Sequence, residues 1–152
     1  MTLLEEFAER VKAELPEYAV HLAPVPASLP ERPYHEAIGI PWPPDPARGR
    51  LSAFFRGDCL EMSFSVTGTR GPAEMQIVGD PPDDPRTMVE GAICFLRDFF
   101  SERLVVVVER YRWLWFSPHC LPFFHRLSER PFSRRVSEVI SWRGTHSERR
   151  QT

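Results

Sequence analysis

The sequence predicts an α+β domain in which an antiparallel or mixed β-sheet, a meander plus a central strand, packs against two amphipathic helices. Three observations predict this class. Residues 3–15 and 85–101 repeat apolar side chains at helical spacing. Residues 50–66 alternate apolar and polar side chains, as half-buried strands do. A β-branched run at 104–108 is apolar on both faces, which is typical of a central strand.

Length and composition favour a single domain over residues 1–152. The chain is 42% hydrophobic and 26% charged, as globular proteins are, and it is long enough to bury a core. No apolar run approaches the ~18 residues of a membrane span, and the acidic, amphipathic start is unlike a secretory signal. The three cysteines have no paired spacing, which predicts free thiols and a cytoplasmic location. Only one basic residue is lysine, an arginine bias typical of GC-rich bacterial genomes.

The first helix is predicted over residues 3–15. Thr2 and Glu5 have the spacing of a capping box, and Pro16 ends the helix. The helical spacing predicts a single apolar face, which is expected to be buried. That face consists of Leu4, Phe7, Ala8, Val11 and Leu15.

A proline-rich segment follows at residues 24–46 and contains eight prolines. Proline fixes φ and has no backbone N–H to donate, so this segment is excluded from the centre of a sheet. We expect an ordered, stiff arm laid across the domain, with one short edge strand at about residues 35–40.

A three-strand meander is predicted after the arm. Strands at 50–56 and 59–66 flank Gly57 and Asp58, a pair that suits a type II′ turn. A third strand is predicted at 73–78. The second strand is expected to be buried on one face only. Its polar face consists of Cys59, Glu61, Ser63 and Ser65.

The second helix is predicted from Asp84 as N-cap and Pro85 as first helical residue to about Ser101. Gly91 in this helix indicates a close approach to the sheet, and Cys94 is interpreted as a small buried residue. The helix, the meander and the central strand together predict a set of buried residues. These are Leu60, Met62, Phe64, Ile93, Leu96, Phe99, Val106 and Val108.

Beyond the central strand, the alternation continues to Phe116 and fits either one long bent strand or two paired strands. A short helix is predicted within 118–127. A strand is predicted within 135–142, where a helix is the open alternative. Residues 144–152 are predicted to form a turn and tail.

Charge is distributed unevenly along the chain. Residues 1–102 carry 9 basic and 17 acidic side chains, whereas residues 103–152 carry 10 and 4. Such asymmetry indicates either a binding surface or two halves that neutralise each other. The net charge of −2 and the lack of a run of basic residues disfavour nucleic acid as a partner.

No catalytic or metal motif is found in the sequence. Phosphate-binding loops, G-x-S-x-G and H-E-x-x-H are absent. The spacing of His119, Cys120 and His125 does not match a zinc site, so we predict no metal and no cofactor. A nucleophile pair of Cys120 and His125 would support one alternative, a small enzyme or ligand-binding domain.

Arginine alternates with aromatic residues between 110 and 115, and both kinds are enriched at protein interfaces. We therefore predict a non-catalytic protein-binding module, most like a bacterial toxin-immunity or inhibitor protein, with a folded enzyme or toxin as partner. The alternative is a dimeric secretion-chaperone-like scaffold, which leaves a homodimer open. The predicted contact residues are Arg110, Arg112, Trp113 and Trp115, together with Trp42 on the proline-rich arm.

Overall fold

A computed structural model describes residues 2–27, 34–56, 59–79, 84–111, 119–129 and 131–149. Within these residues the chain forms two antiparallel four-stranded sheets, two α-helices and short 3₁₀ segments. The predicted α+β class is confirmed, although the strands form two sheets where the sequence predicts one. None of the described helices combines the length and the apolar character that crossing a membrane requires.

The first sheet has the strand order β1-β2-β3-β4, and the second has the order β6-β5-β7-β8. The N-terminal half of the chain contains α1 (Leu3–Glu14), a 3₁₀ helix (Pro16–His21), β1 (Tyr34–Pro41), β2 (Gly49–Arg56), β3 (Cys59–Val66) and β4 (Ala73–Ile77). The C-terminal half contains α2 (Pro85–Phe100), β5 (Leu104–Tyr111), β6 (His119–Arg126), a 3₁₀ helix (Leu127–Glu129), β7 (Val136–Ile140) and β8 (Glu148–Arg149).

The chain divides into two compact units. The expectation of a single domain over 1–152 stays a prediction. The first unit consists of Met1–Ile40, Leu51–Ser63 and Met75–Phe95, and the second of Pro41–Arg50, Phe64–Glu74 and Leu96–Thr152.

Helix α1 begins with the predicted capping box. The Thr2 hydroxyl accepts the Glu5 backbone N–H at 3.2 Å, and the Glu5 carboxylate accepts the Thr2 N–H at 2.6 Å. These bonds from Thr2 lower the pKa of Glu5. The whole predicted apolar face is buried, from Leu4 to Leu15. Both the start of the helix and its buried face are therefore confirmed.

Much of the predicted proline-rich arm is strand and turn. β1 is an eight-residue strand that lies first in the order of its sheet, so the edge strand is confirmed but is longer than predicted. The chain then turns, because the Asp45 N–H bonds to the Trp42 carbonyl and the Arg48 N–H to the Asp45 carbonyl. The part of the arm at 28–33 lies outside the described residues.

Strand β3 has the predicted bounds but is buried on both faces rather than one. Cys59, Glu61 and Ser63, which the sequence predicts to be exposed, are each at most 8% exposed. Alternation shows which residues share a face, whereas burial of a face depends on what packs against it; burial of this face ends at Ser63, and Ser65 is exposed. The predicted turn at Gly57 and Asp58 lies outside the described residues.

Helix α2 begins at the predicted N-cap. The Asp84 carboxylate accepts the Thr87 hydroxyl at 2.5 Å and the Arg86 N–H at 3.0 Å, and these bonds lower the pKa of Asp84. A Cβ added at Gly91 would lie 2.9 Å from Cγ2 of Ile77 in β4, which confirms the close approach to the sheet. The prediction that Cys94 is buried is wrong, since its side chain is exposed on the polar side of the helix near Glu90.

The eight residues predicted for the core are all buried, none of them more than 3% exposed. β5 is the predicted central strand, between β6 and β7. It ends at Tyr111, and the rest of the predicted alternation, at 112–116, lies outside the described residues.

The short helix predicted within 118–127 is wrong, because His119–Arg126 forms strand β6. β6 pairs with β5 along its full length, from Tyr111 opposite His119 to Leu104 opposite Arg126. Pro122 is tolerated because β6 lies at the edge of its sheet, where a missing N–H costs least. β7 confirms the strand predicted within 135–142, and the short strand β8 was not predicted.

Candidate functional site

A cleft of about 450 Å³ lies within the second unit. Its floor follows from strand register, because residues directly opposite each other present their side chains on the same face. Arg110 of β5 is opposite Cys120 of β6, Val108 of β5 is opposite Glu138 of β7, and Glu138 is opposite Arg149 of β8. Four strands thus bring these five side chains to one face, and all five line the cleft.

A β-bulge in β7 shapes the same face. Val108 pairs with Glu138, but the next residue of β5, Glu109, pairs with Val136. Ser137 is therefore the extra residue, and its hydroxyl donates to the Val108 carbonyl at 3.1 Å. Bulges re-aim side chains beside binding sites, and here Ser137 and Glu138 both line the cleft.

The facing wall is built by the turn that follows β3 and by Arg48. The turn needs glycine at Gly68, whose φ of 88° lies in the left-handed region. The Arg70 backbone N–H donates to the Cys120 carbonyl at 2.9 Å and so fixes the turn to β6. The wall residues are Arg48, Val66, Thr67, Gly68 and Thr69.

The cleft is basic, because among the described residues that line it Arg48, Arg110 and Arg149 are basic and Glu138 alone is acidic. Arg48 and Glu138 form an ion pair at 2.5 Å, and their side chains are only 26% and 13% exposed. Partial burial makes such a pair less screened by salt than an exposed one. The pair holds the Arg48 guanidinium in one position at the wall.

The hydroxyl groups around the cleft are already used as donors. Thr69 donates to the Val66 carbonyl at 2.7 Å, Thr67 to the Ala47 carbonyl at 3.3 Å, and Ser137 to Val108. A hydroxyl has one proton to donate. The arginines are therefore the main side-chain donors that the cleft offers to a ligand.

Two of the predicted contact residues, Arg110 and Trp42, are among the described residues, and they differ in exposure. Arg110 is exposed and lines the cleft. Trp42 is only 5% exposed, and its indole N–H lies 3.0 Å from the carbonyls of both Ser141 and Trp142. The exposed Trp42 expected from the sequence is thus a buried core residue, because its N–H finds backbone acceptors. Arg112, Trp113 and Trp115 lie outside the described residues.

The residues next to Arg110 in β5 face away from the cleft, as strand alternation predicts. The Tyr111 hydroxyl donates to the Glu109 carboxylate, and this bond raises the pKa of Tyr111. The Arg135 guanidinium lies 5.5 Å from the centre of the Tyr111 ring. Of the described residues of β5, Arg110 is therefore the charged one that turns toward the cleft.

Cys120 and His125 are the pair that would support a small enzyme, and the structure places their side chains apart. The two are five residues apart on β6, so their side chains lie on opposite faces. Cys120 lines the cleft, whereas the His125 ring packs edge-on against Phe132 at 5.1 Å between ring centres. The pair does not form a nucleophile with its base. Across the part of the chain that the structure describes, no three His, Cys, Asp or Glu side chains gather as a metal site.

Sequence reasoning missed Arg48, Glu138 and Arg149, because strand pairing places Glu138 and Arg149 beside Arg110 and tertiary packing places Arg48 on the facing wall. The excess of basic residues at 103–152 was the one signal for this surface, and it includes Arg110 and Arg149. Comparison with known proteins assigns no family, since neither a family model nor a curated protein nor a solved structure matches the chain.

Proposed function

We propose that the chain is a non-catalytic protein-binding module of the bacterial cytoplasm, of the toxin-immunity or inhibitor type. It binds a folded enzyme or toxin through the basic cleft, which receives acidic groups of the partner. The observation that carries the proposal is the grouping of Arg48, Arg110 and Arg149 around one cleft.

Arginine suits this role for two physical reasons. Its planar guanidinium offers paired hydrogen bonds that match a carboxylate, and it is enriched among the residues that dominate binding energy. A basic surface also steers an acidic partner during encounter and disfavours basic proteins.

The positions of Arg48 and Arg110 are fixed by contacts within the protein, which supports the proposed protein-binding function. The ion pair with Glu138 fixes Arg48 before a partner arrives, so less side-chain entropy is lost on association. The sheet and its bulge hold the backbone of Arg110, whose N–H donates to the Arg135 carbonyl at 2.9 Å.

The cytoplasmic location is supported by the state of the cysteines. Cys59, Cys94 and Cys120 are all free thiols, and Cys94 is exposed. Free thiols are typical of reducing compartments, in which disulfides do not persist.

The experiment is capture of the partner from the organism that encodes the chain, followed by calorimetry with the purified partner. We expect Arg110→Glu and Arg149→Glu to weaken binding at least ~10-fold, which corresponds to ~1.4 kcal/mol. Arg134→Glu is the matched control, because Arg134 is an exposed arginine on the turn before β7 and does not line the cleft. It should bind as the wild type does.

Two results would overturn the proposal. One is wild-type affinity for the partner in both cleft variants, provided that circular dichroism shows them folded. The other is a stable dimer in light scattering that binds an unfolded segment and no folded protein, which would favour the secretion-chaperone-like scaffold.

A further inference from the structure

We propose that the chain forms a homodimer in which β4 pairs antiparallel with β4 of a second copy, with Met75 on the two-fold axis. This surface is separate from the cleft, because no described residue that lines the cleft belongs to β4. The dimer therefore does not rest on the proposed function.

Strand β4 presents an open edge. It lies last in the strand order of its sheet, so one of its two edges has no strand beside it among the described residues. Glu74, Met75 and Gln76 are all exposed, although successive strand residues point to opposite faces. The middle of β4 is thus uncovered on both faces, and its edge offers a row of backbone N–H and C=O groups to another strand.

The other three sheet edges are covered, interrupted or short among the described residues. Beside β1, the Ala23 N–H donates to the Ala37 carbonyl at 3.0 Å. β6 contains Pro122, and its Cys120 carbonyl accepts the Arg70 N–H at 2.9 Å. β8 is only two residues long. These are the usual protections of an edge; β4 has five residues, no proline and no such backbone bond, so it is the edge that remains open to pairing.

Symmetry and charge select one register for the pairing. A two-fold axis perpendicular to the sheet keeps each face on its own side, so residues opposite each other have numbers of the same parity. With Glu74 on the axis, two carboxylates would be opposite each other, and with Gln76 on the axis, Glu74 would be opposite Val78. With Met75 on the axis, Glu74 is opposite Gln76 of the second copy, whose amide can donate to the carboxylate.

The register centred on Met75 makes β4 complementary to itself. The pair of Glu74 and Gln76 occurs twice, once on each side of the axis. Among the described residues, no hydrogen bond or ion pair involves either of these two side chains, so both are available to the second copy. Met75 is 38% exposed in the single chain, and pairing with its own copy removes this apolar surface from water.

The test is sedimentation equilibrium of the full chain over concentrations up to the millimolar range, where we expect a reversible dimer. Gln76→Glu places a carboxylate opposite Glu74 twice per dimer and should weaken association at least ~5-fold. Adding Glu74→Lys to Gln76→Glu turns each like-charge pair into an opposite-charge pair and should restore association. Ser128→Glu is the matched control, since it adds the same charge at an exposed position on the 3₁₀ helix after β6 and should leave the dimer unchanged.

Cross-linking tests the register independently. Met75→Cys in a Cys94→Ser background should be joined to its copy by a short bifunctional thiol reagent, because Cβ atoms of opposite residues lie ~4.5–5.5 Å apart. Val78→Cys in the same background should not be joined, because six residues along the strand, ~20 Å, would separate the two thiols.

A chain that stays monomeric at millimolar concentration would overturn the dimer. So would a dimer that a folded Gln76→Glu variant leaves unchanged, that the double variant does not restore, or that is not joined at position 75. If the chain is monomeric and Gln76→Glu instead weakens binding of the folded partner, β4 pairs with a strand of that partner and the homodimer is excluded. None of these outcomes depends on the cleft variants Arg110→Glu and Arg149→Glu, so the proposed function stands or falls separately.

Discussion

Glu102 lies between α2 and β5 and is a buried carboxylate held by hydrogen bonds. It is only 7% exposed, and its φ of 60° is the one positive value among the described non-glycine residues. Its Oε1 accepts the backbone N–H groups of Arg143 at 2.7 Å and Thr145 at 3.3 Å, in the turn after β7. Burial raises the pKa of Glu102, but hydrogen bonds from Ser141, Thr145 and Arg143 outweigh it and lower the pKa.

Glu102→Gln keeps the shape of the side chain and an oxygen that can accept, but it removes the charge. Hydrogen bonds to a charged group contribute ~1.5–3 kcal/mol, and neutral ones ~0.5–1.5 kcal/mol. Two backbone N–H groups donate to Oε1, and in the variant both hydrogen bonds change from the charged to the neutral kind. Glu102→Gln should therefore lose ~2 kcal/mol of unfolding free energy at pH 7.

The loss should depend on pH with a defined sign. The folded-state pKa of Glu102 is lowered, so the carboxylate's contribution is fully present above the unfolded-state pKa of ~4.3. It is lost as the pH falls through the folded-state pKa, because folding then no longer favours the charged form. The difference between wild type and Glu102→Gln should therefore shrink in acid, where both side chains are neutral.

The assay is urea unfolding followed by tryptophan fluorescence, at pH 7 and at a series of acidic values. Glu17→Gln is the matched control, since Glu17 is exposed on the 3₁₀ helix after α1 and should show almost no difference at any pH. A Glu102→Gln variant that is as stable as the wild type at pH 7 would refute the reasoning. So would a loss of equal size at every pH.

Three further predictions concern the fold. Leu96→Ala should cost ~2–5 kcal/mol in denaturant unfolding with an unchanged m-value, since Leu96 is fully buried; a loss below ~1 kcal/mol would contradict this packing. Gly91→Ala should destabilise the wild type, because its Cβ meets Ile77 Cγ2 at 2.9 Å, yet stabilise an Ile77→Ala background by up to ~1 kcal/mol through helix propensity. Equal effects of Gly91→Ala in the two backgrounds would rule out the clash. All four tryptophans belong to segments of the second unit, so a single cooperative domain predicts coincident unfolding curves by tryptophan fluorescence and far-UV circular dichroism, and separated midpoints would contradict it.

The helices were predictable from the sequence because their signals are local. The Thr2–Glu5 capping box and the Asp84–Pro85 start each lie within a few residues of the element that they begin. The strand bounds of β3 were predictable for the same reason. Its burial was not, since that depends on the parts of the chain that pack against each face of the sheet.

The errors have the same physical origin. The proline and histidines of β6 carry weak local preferences, and pairing with β5 decides the conformation of this segment. Of the cleft, Arg110 was predicted from its aromatic surroundings. Arg48 and Arg149 were not, because their distance from Arg110 along the chain hides a proximity that the second unit creates.

The bulge at Ser137 has a consequence for how this protein can evolve. Val136 and Val139 belong to one core cluster with Val105 and Val107, although residues three apart in a regular strand face opposite ways. The extra residue resets the phase of β7, so that Ser137 and Glu138 reach the cleft while both valines stay inside. Substitutions at 137 and 138 can thus change the lining of the cleft without repacking the interior. Deletion of Ser137 would remove the bulge and leave a regular strand in which Val136 still pairs with Glu109 and Glu138 with Val108, so the cleft would lose one lining residue while both valines kept their face.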